Sequence, residues 1–158
     1  MRMVWTDQAK YQSWLDVELA ACEANYKLGR IPKAAMQEIR NKANFDEQRI
    51  LEIESKVRHD VIAFLTNLNE YVGDPGRFIH VGMTSSDVLD TGLALQLKTS
   101  VDLLRKELDQ LQTAIQILAK EHKNTVMIGR SHAIHGEPIT FGFKLAGWLA
   151  ETIRNAKR

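Results

Sequence analysis

The densest run of reactive side chains in the sequence is Gly129-Arg130-Ser131-His132-Ala133-Ile134-His135-Gly136-Glu137-Pro138. Histidine exchanges protons near neutral pH, and a neighbouring hydroxyl and guanidinium suit an anionic substrate. The run therefore reads as acid–base chemistry on an anion. A metal is the competing reading, because His132 and His135 would lie one turn apart on a helix. No cysteine and no third ligand accompany them, so zinc is the weaker of the two.

Two further clusters carry chemistry-bearing groups. Thr84-Ser85-Ser86-Asp87 opens a long helical pattern, where hydroxyls coincide with unpaired backbone donors and the positive end of the helix dipole. Plain helix capping explains such a sequence equally well. What favours an anion site is Gly82 and His80 just upstream, a flexible backbone point and a titratable donor. Arg58-His59-Asp60 places a cation, an imidazole and a carboxylate in succession within a pattern that otherwise buries apolar residues. It is either a solvated ion-pair patch or a pocket in which Asp60 orients a neighbouring base. His122 reads as a cation complementing the end of the long helix, and the three tryptophans read as core.

The elements that must hold these groups are helical. Three prolines and nine glycines fall between long stretches whose apolar residues recur every three or four positions. Thr6 starts a helix with a stripe of Tyr11, Trp14, Leu15, Leu19, Cys22 and Tyr26, ending at Gly29. Pro32 opens a second helix toward Asn41, and Asp46 caps a third. The stripe Ile50, Ile53, Val57, Val61, Phe64 and Leu68 predicts one helix from 50 to 71 with Arg58-His59-Asp60 on its surface. The segment 73–77 is a turn, and 78–83 is expected to be an extended loop. From Ser86 to about Lys123 nothing breaks the helix, and its stripe of 93, 97, 101, 104, 108, 111, 115 and 118 must be covered by long partners. Residues 126–134 form a short link, and Glu137-Pro138 starts a last helix that runs to the end of the sequence. The expected fold is all-α, with a small helical amino-terminal domain over 1–83 and the first long helices of a bundle over 84–158. The final pattern has neither a glycine cap nor a polar tail, so the polypeptide is expected to continue in a longer protein.

At 158 residues, 44% hydrophobic and 26% charged, the chain can bury a sizeable core and is not expected to be disordered. A net charge of +1 gives no strong field for nucleic acid or a membrane surface, and neither is an expected partner. No signal sequence or membrane span is read, so a cytoplasmic location is expected. Cys22 is alone, which excludes an internal disulfide and leaves a buried thiol.

The runs WTDQAKYQSWLDVELAACEA, FDEQRILEIESKVRHDVIAF, FIHVGMTSSDVLDT and EHKNTVMIGRSHAIHGEPITFGFKLA resemble the amino-terminal part of the adenylosuccinate lyase family, within the fumarase and aspartase superfamily. The resemblance covers essentially the whole chain, and RHD, HVGMTSSD and GRSHxxHxEP in that order are its most specific signature. It implies reversible elimination of fumarate from adenylosuccinate to leave AMP, and the parallel cleavage of the succinyl carboxamide intermediate of purine synthesis. It implies no cofactor, no metal, and a homotetramer whose active sites draw on several subunits. By carry-over, His132 is the general acid. Thr84, Ser85 and Ser131 bind substrate carboxylates, His80 and His59 support the substrate, and Arg58 and Asp60 complete its pocket. The family's catalytic serine lies downstream of residue 158, and its phosphate-binding arm lies upstream of the first residue. The chain alone is therefore expected to be inactive. Ser131 stands where threonine is commoner, which keeps the hydroxyl. Two rivals remain: another fumarate-releasing lyase of the superfamily, and a non-catalytic helical oligomerisation module whose histidines are incidental.

Overall fold

The structure, a computed structural model, describes residues 1–158 and divides into two compact units, Met1–Ser100 and Val101–Arg158. The first unit begins with a short 3-10 turn, Arg2–Trp5, and helix α1, Asp7–Lys27. Thr6 caps α1 by accepting the Ala9 N–H, as its place before the apolar stripe predicts. Helices α2 (Lys33–Lys42), α3 (Glu47–Val57) and α4 (Asp60–Val72) follow. Asp46 caps α3 through the Arg49 N–H, and its own N–H donates to Oδ1 of buried Asn67, which ties the start of α3 to α4.

The core of this unit is aromatic at its centre. Tyr11 and Trp14 meet edge to face at 5.3 Å between centroids, and Phe64 stacks on Tyr11 at 6.0 Å. Around them Ile39, Ile50, Val61, Leu68 and Val72 are almost wholly buried, so the predicted stripes over 11–26 and 50–68 converge on one cluster, which Ile39 of α2 joins. Burying a side chain such as Phe64 contributes about 1.5–3 kcal/mol.

The expected single helix from 50 to 71 is two helices. Arg58 turns left-handed, at φ 53°, His59 is extended, and α4 begins at Asp60. The apolar spacing survives this break because α3 and α4 fold back against each other and both turn their stripes inward. Val57, at the corner, is the one stripe member left outside. After α4, Asp74–Phe78 forms a second 3-10 turn, and the chain continues through tight turns with His80 at φ 64° and Gly82 at φ 80°. The segment expected to be extended is thus coiled.

Helix α5 spans Ser85–Glu121, 37 residues or roughly 55 Å at 1.5 Å per residue. In the first unit it passes close to α1 at Gly92, where a Cβ would fall within 3 Å of the Trp14 ring and the Ser13 hydroxyl. Most of its predicted stripe is exposed: Leu93, Leu97, Val101, Leu104, Leu111 and Leu118 lie open, while Ile115 is buried.

In the second unit the last turn of α5 leads into an antiparallel hairpin, β1 (Val126–Ser131) and β2 (Ile134–Thr140), where a link and a helix start were expected. Pro138 sits in β2, and α6 (Phe141–Lys157) begins only after Thr140, whose hydroxyl accepts the Phe143 N–H. Gly142 allows α6 to start against the end of α5, since a Cβ there would run into the backbone of Ala119 and Lys123. His122 holds that junction: its ring packs on Phe141, and its Nδ1 lies 3.2 Å from the Thr125 hydroxyl. Of the tryptophans, Trp14 alone is core; Trp5 and Trp148 are about half exposed. The fold remains all-α in class, with this hairpin as its one sheet. No helix is long and apolar enough to cross a membrane.

Candidate active site

Three groups of candidate residues belong to the first unit. Arg58, His59 and Asp60 occupy the α3–α4 corner rather than a helix face. The Arg58 N–H closes α3 onto the Glu54 carbonyl at 2.8 Å, and the Asp60 carboxylate accepts the Val61 N–H at 2.7 Å. His59 is the N-cap of α4. Its Nδ1 lies 3.5 Å from the Ile62 N–H, for which it must be an acceptor, and 3.4 Å from Asp60 Oδ1, for which it must be a donor. Both distances are long and one proton position cannot serve both, so neither partner holds the ring firmly. The corner leaves the His59 and Asp60 side chains about half exposed, with the 3.4 Å His59–Asp60 approach as their ion-pair contact.

His80 is held far more tightly. Its Nδ1 lies 2.6 Å from Oε1 of Glu18, and its backbone N–H donates to Oε2 of the same carboxylate at 3.0 Å. Glu18 projects from α1 and is fully buried. Burial pushes its carboxyl above the usual range, and the bonds to His80 oppose that rise. One turn further along α1, Cys22 approaches the Phe78 carbonyl through Sγ at 3.9 Å, so the helix grips residues 78–80 at two points.

Glu18 was not among the residues singled out in the sequence, yet a signal was there. Position 18 lies on the stripe of Tyr11, Trp14, Leu15 and Cys22, and a carboxylate on an apolar face demands a partner.

Thr84 and Ser85 stand at the first turn of α5. The hydroxyl capping expected as the plain alternative is not what occurs. The Asp87 carboxylate reaches back to accept the Thr84 N–H at 2.8 Å, while the Asp87 N–H donates to the Thr84 carbonyl. The hydroxyls of Thr84 and Ser85 form no hydrogen bond within the chain and stay available at the positive end of a long helix.

In the second unit Ser131 and Ile134 pair across the hairpin, leaving His132 and Ala133 as a two-residue turn. Both have positive φ, 52° and 61°, the mark of the type I′ turn that matches strand twist. The turn thrusts His132 into the open, with Ser131 and His135 exposed beside it. His132 and His135 are not one helical turn apart, because the segment is a hairpin, and no cluster of His, Cys, Asp and Glu is arranged to hold a metal ion. The chemistry on offer is a proton donor at a turn tip, hydroxyls at a helix start, and an imidazole fixed by a buried carboxylate.

A family model described as "Lyase" matches residues 1–158. Adenylosuccinate lyase of Synechocystis sp. is 66% identical over 158 residues, which is the whole of this chain and 37% of that protein. Adenylosuccinate lyase of Bacillus subtilis is 49% identical over the same span, again 37% of its length. The chain thus spans little more than a third of the curated relatives it matches. Among solved structures, a fumarate lyase from Mesorhizobium sp. BNC1 superposes with a TM-score of 0.92 at 29% identity, over 99% of this chain and 38% of that one. A 3-carboxy-cis,cis-muconate lactonizing enzyme from Pseudomonas putida does so with a TM-score of 0.92 at 30% identity, over 99% and 37%.

Proposed function

Since the chain belongs to the lyase family, we propose that it supplies part of the active site of an adenylosuccinate lyase. The reaction is the reversible β-elimination of fumarate from adenylosuccinate, giving AMP, and from the succinyl carboxamide ribonucleotide of purine biosynthesis. The observation that carries this reading is the 66% identity to the Synechocystis adenylosuccinate lyase across every residue of the chain. The fold does not select the substrate, because a lactonizing enzyme shares it with the same TM-score. The identity favours adenylosuccinate, since the lactonizing enzyme matches at 30% and the Bacillus subtilis and Synechocystis adenylosuccinate lyases at 49% and 66%.

In this mechanism a base removes the proton beside a substrate carboxylate, and negative charge builds up on that carboxylate. Donors fixed in advance stabilise it without reorganising. The uncommitted hydroxyls of Thr84 and Ser85 at the α5 start, with Ser131, are the donors, and the helix dipole adds to them. His132 protonates the departing nitrogen from the exposed hairpin tip. His80 and His59 support the substrate, and Arg58 and Asp60 complete the pocket at the α3–α4 corner. No residue of this chain is assigned as the base; the family resemblance puts it beyond residue 158. The exposed stripe of α5 is covered by other copies in a homotetramer, and several copies together complete each site. A cytoplasmic location belongs to the same reading, and neither a cofactor nor a metal is needed for it.

The test is a chimera in which this chain replaces the matching segment of the Bacillus subtilis relative. It should release fumarate from adenylosuccinate. A folded, oligomeric chimera that releases none would overturn the reading in favour of a non-catalytic module.

A further inference from the structure

We propose that Glu18 is the positioning residue of His80, fixing Nδ1 as the protonated nitrogen and leaving Nε2 as the acceptor offered to a ligand. Two independent contacts support this. The first is the 2.6 Å approach of Nδ1 to Oε1. The second is the backbone N–H of the same residue, which donates to Oε2 at 3.0 Å. That N–H can only donate, so Oε2 acts as an acceptor; with the carboxyl ionised, the form that both bonds to His80 favour, Oε1 accepts as well and Nδ1 is the donor. The carboxylate thus sets the tautomer and the ring orientation at once, as outer partners do for working histidines elsewhere.

The same contact answers a backbone problem. His80 sits at φ 64°, a left-handed conformation that a residue with a side chain adopts only at a steric cost. Glu18, buried on a rigid helix and gripping both the ring and the N–H, holds the residue there. A carboxylate so deeply buried is costly unless it is paired. Its retention on an otherwise apolar face is explained by what it does for His80, whose side chain keeps 22% exposure and is therefore reachable from solvent. That a ligand uses Nε2 rests on the function proposed above; that Glu18 sets the tautomer does not.

The experiment is nitrogen-detected NMR of the chain labelled at histidine, at about pH 8.5, above the ordinary histidine range. His80 in the unsubstituted chain should show a protonated Nδ1 and an unprotonated Nε2. In Glu18→Gln the amide has one acceptor for two donors. The backbone N–H and the ring then compete, and the protonated fraction of Nδ1 should fall at least tenfold or exchange with the other tautomer. A protonated Nε2 in the unsubstituted chain overturns the proposal without any variant, so misfolding of Glu18→Gln cannot shelter it. An unchanged Nδ1 tautomer in a folded Glu18→Gln overturns it as well. No substrate is present in this measurement, so its failure is distinguishable from failure of the fumarate-release assay.

Discussion

At the scale of single residues, exposure sets His132 apart from Cys22. His132 is exposed at a turn tip and makes no internal hydrogen bond, so its imidazole contributes nothing visible to stability. His132→Asn, which keeps a side chain tolerant of positive φ, should leave the thermal midpoint of the chain within a few degrees. In the chimera it should lower kcat by about 10²–10⁴-fold, the usual worth of a positioned proton donor. Circular dichroism and fumarate release check the two halves. Cys22 is the opposite case. It is 1% exposed, and burial pushes its thiol up to about 11. The thiolate is the reactive form, so at pH 8 the folded chain should resist alkylation and react only once unfolded in denaturant. The sign for stability follows: the neutral thiol favours the folded state fully below about pH 8.5. That margin is lost as pH rises toward about 11.

At the scale of elements, the hairpin turn makes its own prediction. Ala133 holds φ 61° with neither glycine's freedom nor a polar side chain to help. Ala133→Gly should relieve about 1–2 kcal/mol of strain and give back about 0.4–1 kcal/mol through the freer unfolded chain. A net gain centred on about 1 kcal/mol, read by urea unfolding, is therefore expected. The same segment shows where sequence reading stops. Helices α1, α2, α3 and α5 were legible, because caps such as Thr6 and Asp46 stand directly before apolar stripes of helical period. The α3–α4 corner was not legible. The stripe from Ile50 to Leu68 keeps its phase across Arg58 and His59, and periodicity cannot distinguish a straight helix from two that fold back. The hairpin was hidden for a different reason. Its turn residues, His132 and Ala133, are not those a type I′ turn usually demands, and Glu137-Pro138 mimics a helix start. Among candidate site residues, motif order pointed to His132, Thr84 and Ser85. Glu18 was missed because its meaning depends on a contact 62 residues away.

At the scale of the whole molecule, the exposed apolar stripe of α5 is the main unresolved debt of the isolated chain. Leu97, Leu104 and Leu111 are each close to half exposed, whereas a helix of this length is stable in water when such a stripe is covered. The chain should therefore self-associate, and replacing these three leucines by lysine should shift sedimentation to the monomer while helix content is retained. In the proposed assembly, a proton donor in the second unit and hydroxyls in the first unit would reach one dicarboxylate from different copies. The measurement that tests this most directly is activity recovery between two disabled chimeras, one carrying His132→Asn and the other Thr84→Val with Ser85→Ala. Each alone should be nearly inactive. Mixed under conditions that exchange subunits, they should regain a substantial fraction of fumarate release, because some sites then combine an intact His132 with intact hydroxyls. If the mixed oligomer forms and remains as inactive as its parents, the two sets of residues do not meet across copies, and the composite site is contradicted.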